Sequence, residues 1–237
     1  MAWTWTPERR DEPELMDAPG LPEAEVEDAY RVLRRVNSQL GNLRTMRREF
    51  SRFVREDMPG RASFTFLDVG SGSGDIAVAL RDLVPDRAGP VLALDRDAQA
   101  ASAARTRSLA AIRGDALRLP FADRSIDLVT AVKFAHHFTG RPLGRLVEEM
   151  ARVARHRVII LDIRRDWFAY WGFRVWSSIL TRNRLVRHDG PLSVLRGFTK
   201  EELIAPVSSM TGWSWTVRPY LGFQLALVGR RVSADSE

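Results

Sequence analysis

The chain has 237 residues, 45% of them hydrophobic, which suits one large α/β domain with an appended segment or two small domains and excludes wholesale disorder. There is no cysteine, so disulfides, thiolate metal sites and a cysteine nucleophile are excluded. The net charge of +6 rests on 36 basic residues, 34 of them arginines spread along the chain; a GC-rich gene gives that bias without a polyanionic partner, so no nucleic-acid partner is expected. The opening MAWTWTPERRDEPE lacks the basic-then-apolar order of a signal peptide, and no apolar run approaches membrane-spanning length. A cytoplasmic location is the expectation.

Residues 1–21, rich in Pro, Glu and Trp, read as a flexible N-terminus. Residues 22–60 read as a cap of two helices: Ala29, Val32, Leu33 and Val36 recur at helical spacing, then Leu43, Met46, Phe50, Phe53 and Val54. Gly41 and Asn42 mark the break, and Pro59-Gly60 closes the pair. Strands and helices then alternate through residues 61–237: SFTFLDV, DIAVALRDLV, VLALD, DAQAASAARTRSL, AAIRGD, SIDLVTAV, PLGRLVEEMARVA and RVIILDI. This alternation predicts a mostly parallel sheet covered by helices on both faces, with ligands at the carboxyl ends of the strands. Residues 164–198 read as an insertion made of an aromatic helix, DWFAYWGFRVWSSIL, and a long polar loop, NRLVRHDGPLSVLRGF. TKEELIAPVSSM follows as a helix with a Thr199/Glu202 capping box that Pro206 must shorten, and WSWTVRP and GFQLALVG pair as a closing hairpin.

FLDVGSGSGDIA ends a strand in Gly70, Gly72 and Gly74. The dinucleotide fingerprint wants its third glycine where Asp75 stands, and no Lys-Ser/Thr follows to make a Walker loop. Asp68, just before the turn, repels a pyrophosphate but suits a ligand carrying an ammonium and a sulfonium. Asp95, 21 residues past Gly74, ends the second strand, where a carboxylate accepts from both ribose hydroxyls. Asp115 ends the third, within reach of an adenine amino group.

With FLDVGSGSGDIA, VLALDRD, GDALRLPFADRSIDLVTAVKFAHHF and VIILDI in this order and spacing, residues 60–163 resemble a class I S-adenosylmethionine-dependent methyltransferase. The resemblance implies a Rossmann-like α/β fold with a seven-stranded, mostly parallel sheet and an antiparallel last strand, GFQLALVG, inserted at the edge. It implies S-adenosylmethionine as cofactor and S-adenosylhomocysteine as product. Asp68 would hold the methionine ammonium through water or backbone, and Gly70, Ser71, Gly72 and Gly74 would let the backbone approach. Asp95 would bind the ribose with Arg96 beside the adenine, Asp115 and Ala116 the adenine, and the backbone near Val132 and Lys133 the methionine end. FADRSIDLVTAVKFAHHF and NRLVRHDGPLSVLRGFT further resemble a bacterial small-molecule branch whose members often accompany polyketide synthases making phenolic products.

Transfer of a methyl group from a sulfonium is an in-line displacement that chiefly needs alignment in a dry pocket, and a base for an acceptor hydroxyl. Four scattered histidines without cysteine suggest no metal. His136 and His137, after the fourth strand, are candidate bases or packed core histidines. Arg187, His188 and Asp189 form a second polar cluster, either a base with its carboxylate or a loop tie. Asp162 and Arg165 at the end of the fifth strand either orient a substrate or form a salt bridge at the sheet rim. The aromatic helix, including Trp171, suggests an acceptor pocket, a dimer surface or a membrane-skimming lid, in that order. The reading is O-methylation of a small apolar phenolic or polyketide-like acceptor by a monomer or homodimer. Its alternatives are C-methylation of a quinone-type precursor, a non-catalytic binding or regulatory protein, and an RNA methyltransferase.

Overall fold

The alternation read in the sequence becomes a single seven-stranded sheet. The computed structural model describes residues 6–18, 20–61 and 63–232, with the side chains of residues 37 and 38 left aside. The strands are β1 (Phe64–Val69), β2 (Ala88–Asp95), β3 (Ala110–Arg113), β4 (Ile126–Val132), β5 (Ala154–Ile163), β6 (Trp213–Tyr220) and β7 (Gln224–Arg231), in spatial order β3-β2-β1-β4-β5-β7-β6. Pairs from β3 through β5 are parallel. β7 inserts antiparallel between β5 and β6. The strand order reverses between β1 and β4, so the crevice expected to take a ligand lies beyond their carboxyl ends.

Neighbouring residues of the central strands serve opposite faces of the sheet. Val129 and Ile160 pack in one core with Leu143, Leu146, Val147 and Met150 of α5 (Gly140–Val153). Leu128 and Ile159 pack in the other with Met46, Phe50 and Phe53 of α2 (Asn42–Glu56). The rings of Phe53 and Phe64 meet edge-on at 5.2 Å. α1 (Glu23–Gln39) carries Ala29 and Val32 against Leu185 and Val186, so the helical cap leans on the segment after β5. α3 (Asp75–Arg81) and α4 (Ala98–Thr106) complete the helices flanking β1 to β3, and Asp97 caps α4 through the Ala100 N–H.

Two expectations change. NRLVRHDGPLSVLR is a helix, α7 (Arg184–Arg196), with Pro191 inside it. Asn183 caps its start by accepting from the Val186 N–H, and α7 packs against α6 (Trp167–Leu180) and α1. Burial of Leu185, Val186, Leu192 and Val194 outweighs the break that Gly190-Pro191 suggests. The N-terminal stretch is the second. Its residues 1–5 and 19 lie outside the described residues, but residues 6–18 form a strap across the substrate side of the sheet. Arg9 sits over the Phe198 ring and donates to the Arg196 and Phe138 carbonyls. Arg165 donates to the Pro7 carbonyl, and Asp189 accepts the backbone N–H groups of Leu15 and Met16 at 2.8 and 2.9 Å. After α7, Thr199 and Glu202 form the expected capping box of α8 (Lys200–Ile204), which ends in a 3-10 turn at Pro206.

Candidate active site

A cavity of about 1840 Å³ opens at the carboxyl ends of β1 to β4, beneath the strap, α1 and α6. Small-molecule sites commonly measure ~300–1,000 Å³, so there is room for two ligands side by side. Asp68, Asp95 and Asp115 all line it. Asp68 is only 2% exposed and accepts 2.7 Å from the Thr130 hydroxyl of β4. Burial pushes its carboxyl up to about 7, and the like charge of Asp95 adds to the rise that the Thr130 bond opposes. Asp95 accepts from the Gly72 N–H at 2.9 Å and the Asp97 N–H at 3.0 Å. Burial raises its carboxyl despite those bonds. Asp115 accepts from the Leu117 N–H at 2.9 Å in a local turn, with buried Ala116 beside it.

The glycines divide their work. Gly70, Gly72 and Gly74 all have positive φ, the left-handed region that side chains resist. At Gly70 a Cβ would lie 2.2 Å from the Phe134 ring, and at Gly74 2.4 Å from Leu109. The space cleared at these two positions is therefore filled by the protein itself, and Gly74 does not line the cavity. At Gly72 a Cβ would touch only the Tyr30 ring at 3.5 Å, and its N–H bonds Asp95. Gly70→Ala should lower stability by roughly 1–3 kcal/mol for overpacking, plus ~1–2 kcal/mol for the left-handed backbone. A urea midpoint unchanged from that of the parent would contradict this packing.

Arg96, Val132 and Lys133 also line the cavity. Arg96 is exposed and pairs with Asp17 of the strap at 3.4 Å. Lys133, at φ +54, donates its N–H to the Leu161 carbonyl, and burial lowers its ammonium to about 8 while Asp162 pulls the other way.

The two adjacent histidines differ sharply. His136 is 3% exposed, with Nδ1 2.8 Å from Asp162 and Nε2 3.4 Å from Glu14. Burial disfavours its charged form, yet these carboxylates raise it to about 9. Asp162, fully buried, is held down at about 2 by His136 against the opposing effect of burial; Glu14 is held at about 2 in the same way, helped by His137 and Ser193. At neutral pH this is an imidazolium locked between two carboxylates. His137 is more open, lines the cavity, and places Nδ1 3.3 Å from Asp17 and Nε2 3.8 Å from Glu14. Among the described residues Glu14, His136 and His137 bring one ligand atom each within 4.8 Å of the others and could hold a metal ion, a grouping the sequence reading did not expect.

Other expected site residues lie elsewhere. His188 is largely exposed and bonds Asp189, the carboxylate that anchors the strap; that cluster is a tie, and Arg187 is exposed on α7 outside the cavity. Arg165 is buried against the Glu202 carboxylate at 2.6 Å and the Gly197 carbonyl, and Asp162 serves His136; both form ion pairs at the strand end and neither lines the cavity. Trp171 points outward, because α6 turns Phe173 and Trp176 inward instead. Glu14 and Asp17 were missed. The only signal for them was ELMD, an apolar pair between acids in a Pro-rich stretch.

A family model described as "Methyltransferase domain" matches residues 67–161. The uncharacterized methyltransferase YcgJ of Bacillus subtilis is 33% identical over 107 residues, 43% of this chain and 42% of that protein. The demethylmenaquinone methyltransferase of Thermus thermophilus is 33% identical over 148 residues, 59% of this chain and 63% of that one. The chain thus spans less than two thirds of either relative. Magnesium protoporphyrin IX methyltransferase from Synechocystis PCC 6803, solved with bound SAM, superposes with a TM-score of 0.55 at 12% identity over 92% of this chain and 88% of that one. The plantazolicin methyltransferase BpumL, solved with SAH, gives 0.62 at 13% identity over 84% and 90%. The overall architecture is the class I methyltransferase fold. The matched segment contains the three carboxylates and both histidines, while Glu14, Asp17 and α6 lie outside it.

Proposed function

We propose that the chain transfers a methyl group from S-adenosylmethionine to a hydroxyl of a small, apolar, phenolic or polyketide-like acceptor. One observation carries this reading: Asp68, a buried carboxylate raised to about 7 by burial, faces the same cavity as Asp95 and Asp115 at neighbouring strand tips. An adenosyl amino acid fits that donor set. Asp68 would hold its ammonium, Asp95 the ribose hydroxyls through the lone pairs left after bonding Gly72 and Asp97, and Asp115 with Ala116 the adenine edge. When bound, S-adenosylmethionine supplies an electrophilic methyl group on a sulfonium that becomes a neutral thioether.

The remaining chemistry belongs to the chain. His137 takes the acceptor's hydroxyl proton on Nε2 while Nδ1–H donates to Asp17, a carboxylate that His137 holds below its usual range. His136, already charged, fixes Glu14 and keeps the strap closed over the cavity. Val36, Phe173 and Trp176 supply an apolar wall that excludes water from the acceptor. The likeness to demethylmenaquinone methyltransferases supports one further reading, methylation at a ring carbon of a quinone-type precursor, in which the same base removes a ring hydroxyl proton.

Titration calorimetry with S-adenosylhomocysteine tests the cofactor site. Asp95→Ala should weaken binding on the order of 30-fold or more, the cost of removing one partner of buried hydrogen bonds. Unchanged affinity would remove the ribose assignment. Labelled methyl donor offered with phenols and quinols then separates the two acceptors by the atom that gains the label.

A further inference from the structure

α6 presents two different faces. Phe173 and Trp176 line the cavity, while Trp171, Val175, Ile179 and Leu180 are 55%, 55%, 73% and 54% exposed. Positions 171, 175 and 179 recur every four residues, so they form one continuous apolar stripe on the outer surface. A stripe of this kind on a monomer marks a contact with something apolar. Among the described residues no helix is long and apolar enough to cross a membrane, and α6, with 14 residues, is too short to do so.

The charges around the stripe choose the partner. Residues 167–188 contain Arg174, Arg182, Arg184 and Arg187 and no carboxylate. Arg164, three residues before the helix, lines a cleft of about 820 Å³ with Arg48, Arg52, Arg55 and Arg218; Glu49 pairs with Arg52 and Arg218, Glu56 with Arg55 and Asp166 with Arg164, so five arginines there face three carboxylates. Leu221, 90% exposed, sits on the rim of that cleft. A two-fold pairing of α6 stripes would bring these arginines against their own copies, which disfavours a second chain as the occupant. An anionic lipid surface satisfies both features: aromatic and aliphatic groups enter the headgroup–acyl boundary, and arginines meet the lipid phosphates.

We propose that the protein docks on anionic membranes through the outer face of α6, with the arginine cleft beside Leu221 gripping headgroups. The docking goes beyond the methyl-transfer reading and does not depend on it. Because α6 is also a wall of the cavity, docking sets that cavity against the lipid.

The full chain is sedimented with vesicles of phosphatidylcholine alone or mixed with phosphatidylglycerol, and tryptophan emission is followed. Partition onto the mixed vesicles with a blue shift is expected, weakening as salt is raised. Trp171→Glu with Ile179→Glu should reduce partition ~10-fold or more. Arg55→Gln with Arg164→Gln should reduce it about fivefold for each charge near the surface. Thermal melts and S-adenosylhomocysteine affinity of these variants should match the parent, showing that the fold is intact. Failure to bind mixed vesicles overturns the proposal, as does binding that the α6 pair leaves unchanged. A stable dimer that the α6 pair dissociates, without vesicle binding, assigns the stripe to a second copy and overturns it as well.

Discussion

His137→Ala should lower kcat by on the order of 10²–10⁴-fold, the usual contribution of a general base, while S-adenosylhomocysteine affinity stays near that of the parent. Asp17→Asn should give a smaller loss of the same kind, because Asp17 orients the imidazole. Its neighbour gives the contrast. His136→Ala removes the cation that faces both Asp162 and Glu14, and breaking such a buried pair costs roughly 3–5 kcal/mol, so this variant should show first a lower melting temperature and a loosened strap. The sign with pH follows from both partners. The imidazolium, raised to about 9, stabilises the fold fully below its ordinary 6.5 and is lost as pH rises through 9. The carboxylate of Glu14, lowered to about 2, contributes fully above its ordinary 4.5 and is lost as pH falls towards 2. The strap is therefore held through the neutral range, and proteolysis of the N-terminus should accelerate above about pH 9. Equal activity of the two histidine variants across pH would remove both from the mechanism.

Asp68→Asn should have opposite effects on binding and on stability. The buried carboxyl stands at about 7 instead of 3.8, so it favours folding below pH 4 and that stability is lost as pH rises through 7. At pH 8 the ionised group costs on the order of 4 kcal/mol. The amide removes that cost and still accepts from the Thr130 hydroxyl. The ligand-free variant should melt roughly 5 °C or more above the parent at pH 8, with the difference gone at pH 4. Affinity for S-adenosylhomocysteine should fall about 30-fold or more, since the cation then lacks its counter-charge. If the variant bound as tightly as the parent and melted at the same temperature at pH 8, Asp68 would be a structural carboxylate only.

What the sequence makes legible is local. Asp68, Asp95 and Asp115 are readable because each follows an apolar strand, and a strand end in a parallel sheet is a ligand position wherever the chain goes next. Asp97 as a helix cap and the Thr199/Glu202 box are readable for the same reason. The glycines are legible as glycines but not in purpose: that Phe134 fills the space over Gly70 depends on a residue 64 positions away. α7 is hidden because Gly190-Pro191 signals a turn, and only burial against α1 and the strap reverses that preference. Periodicity marks α6 as a helix, but its run of aromatics cannot say which side meets the cavity: Trp171 faces outward, while Phe173 and Trp176 line it. Glu14 and Asp17 escape altogether, since nothing local links the first twenty residues to His136 and His137.

The strap has a consequence for how such a scaffold diversifies. On the proposed reading, the nucleoside is held at strand tips between Asp68 and Asp115, whereas the groups facing the acceptor come from residues 14–18, the His136–His137 turn and α6. Donor recognition and acceptor choice therefore occupy separable stretches of the gene. Exchanging the two outer stretches between homologues would retarget the chemistry while leaving the inherited nucleoside clasp undisturbed.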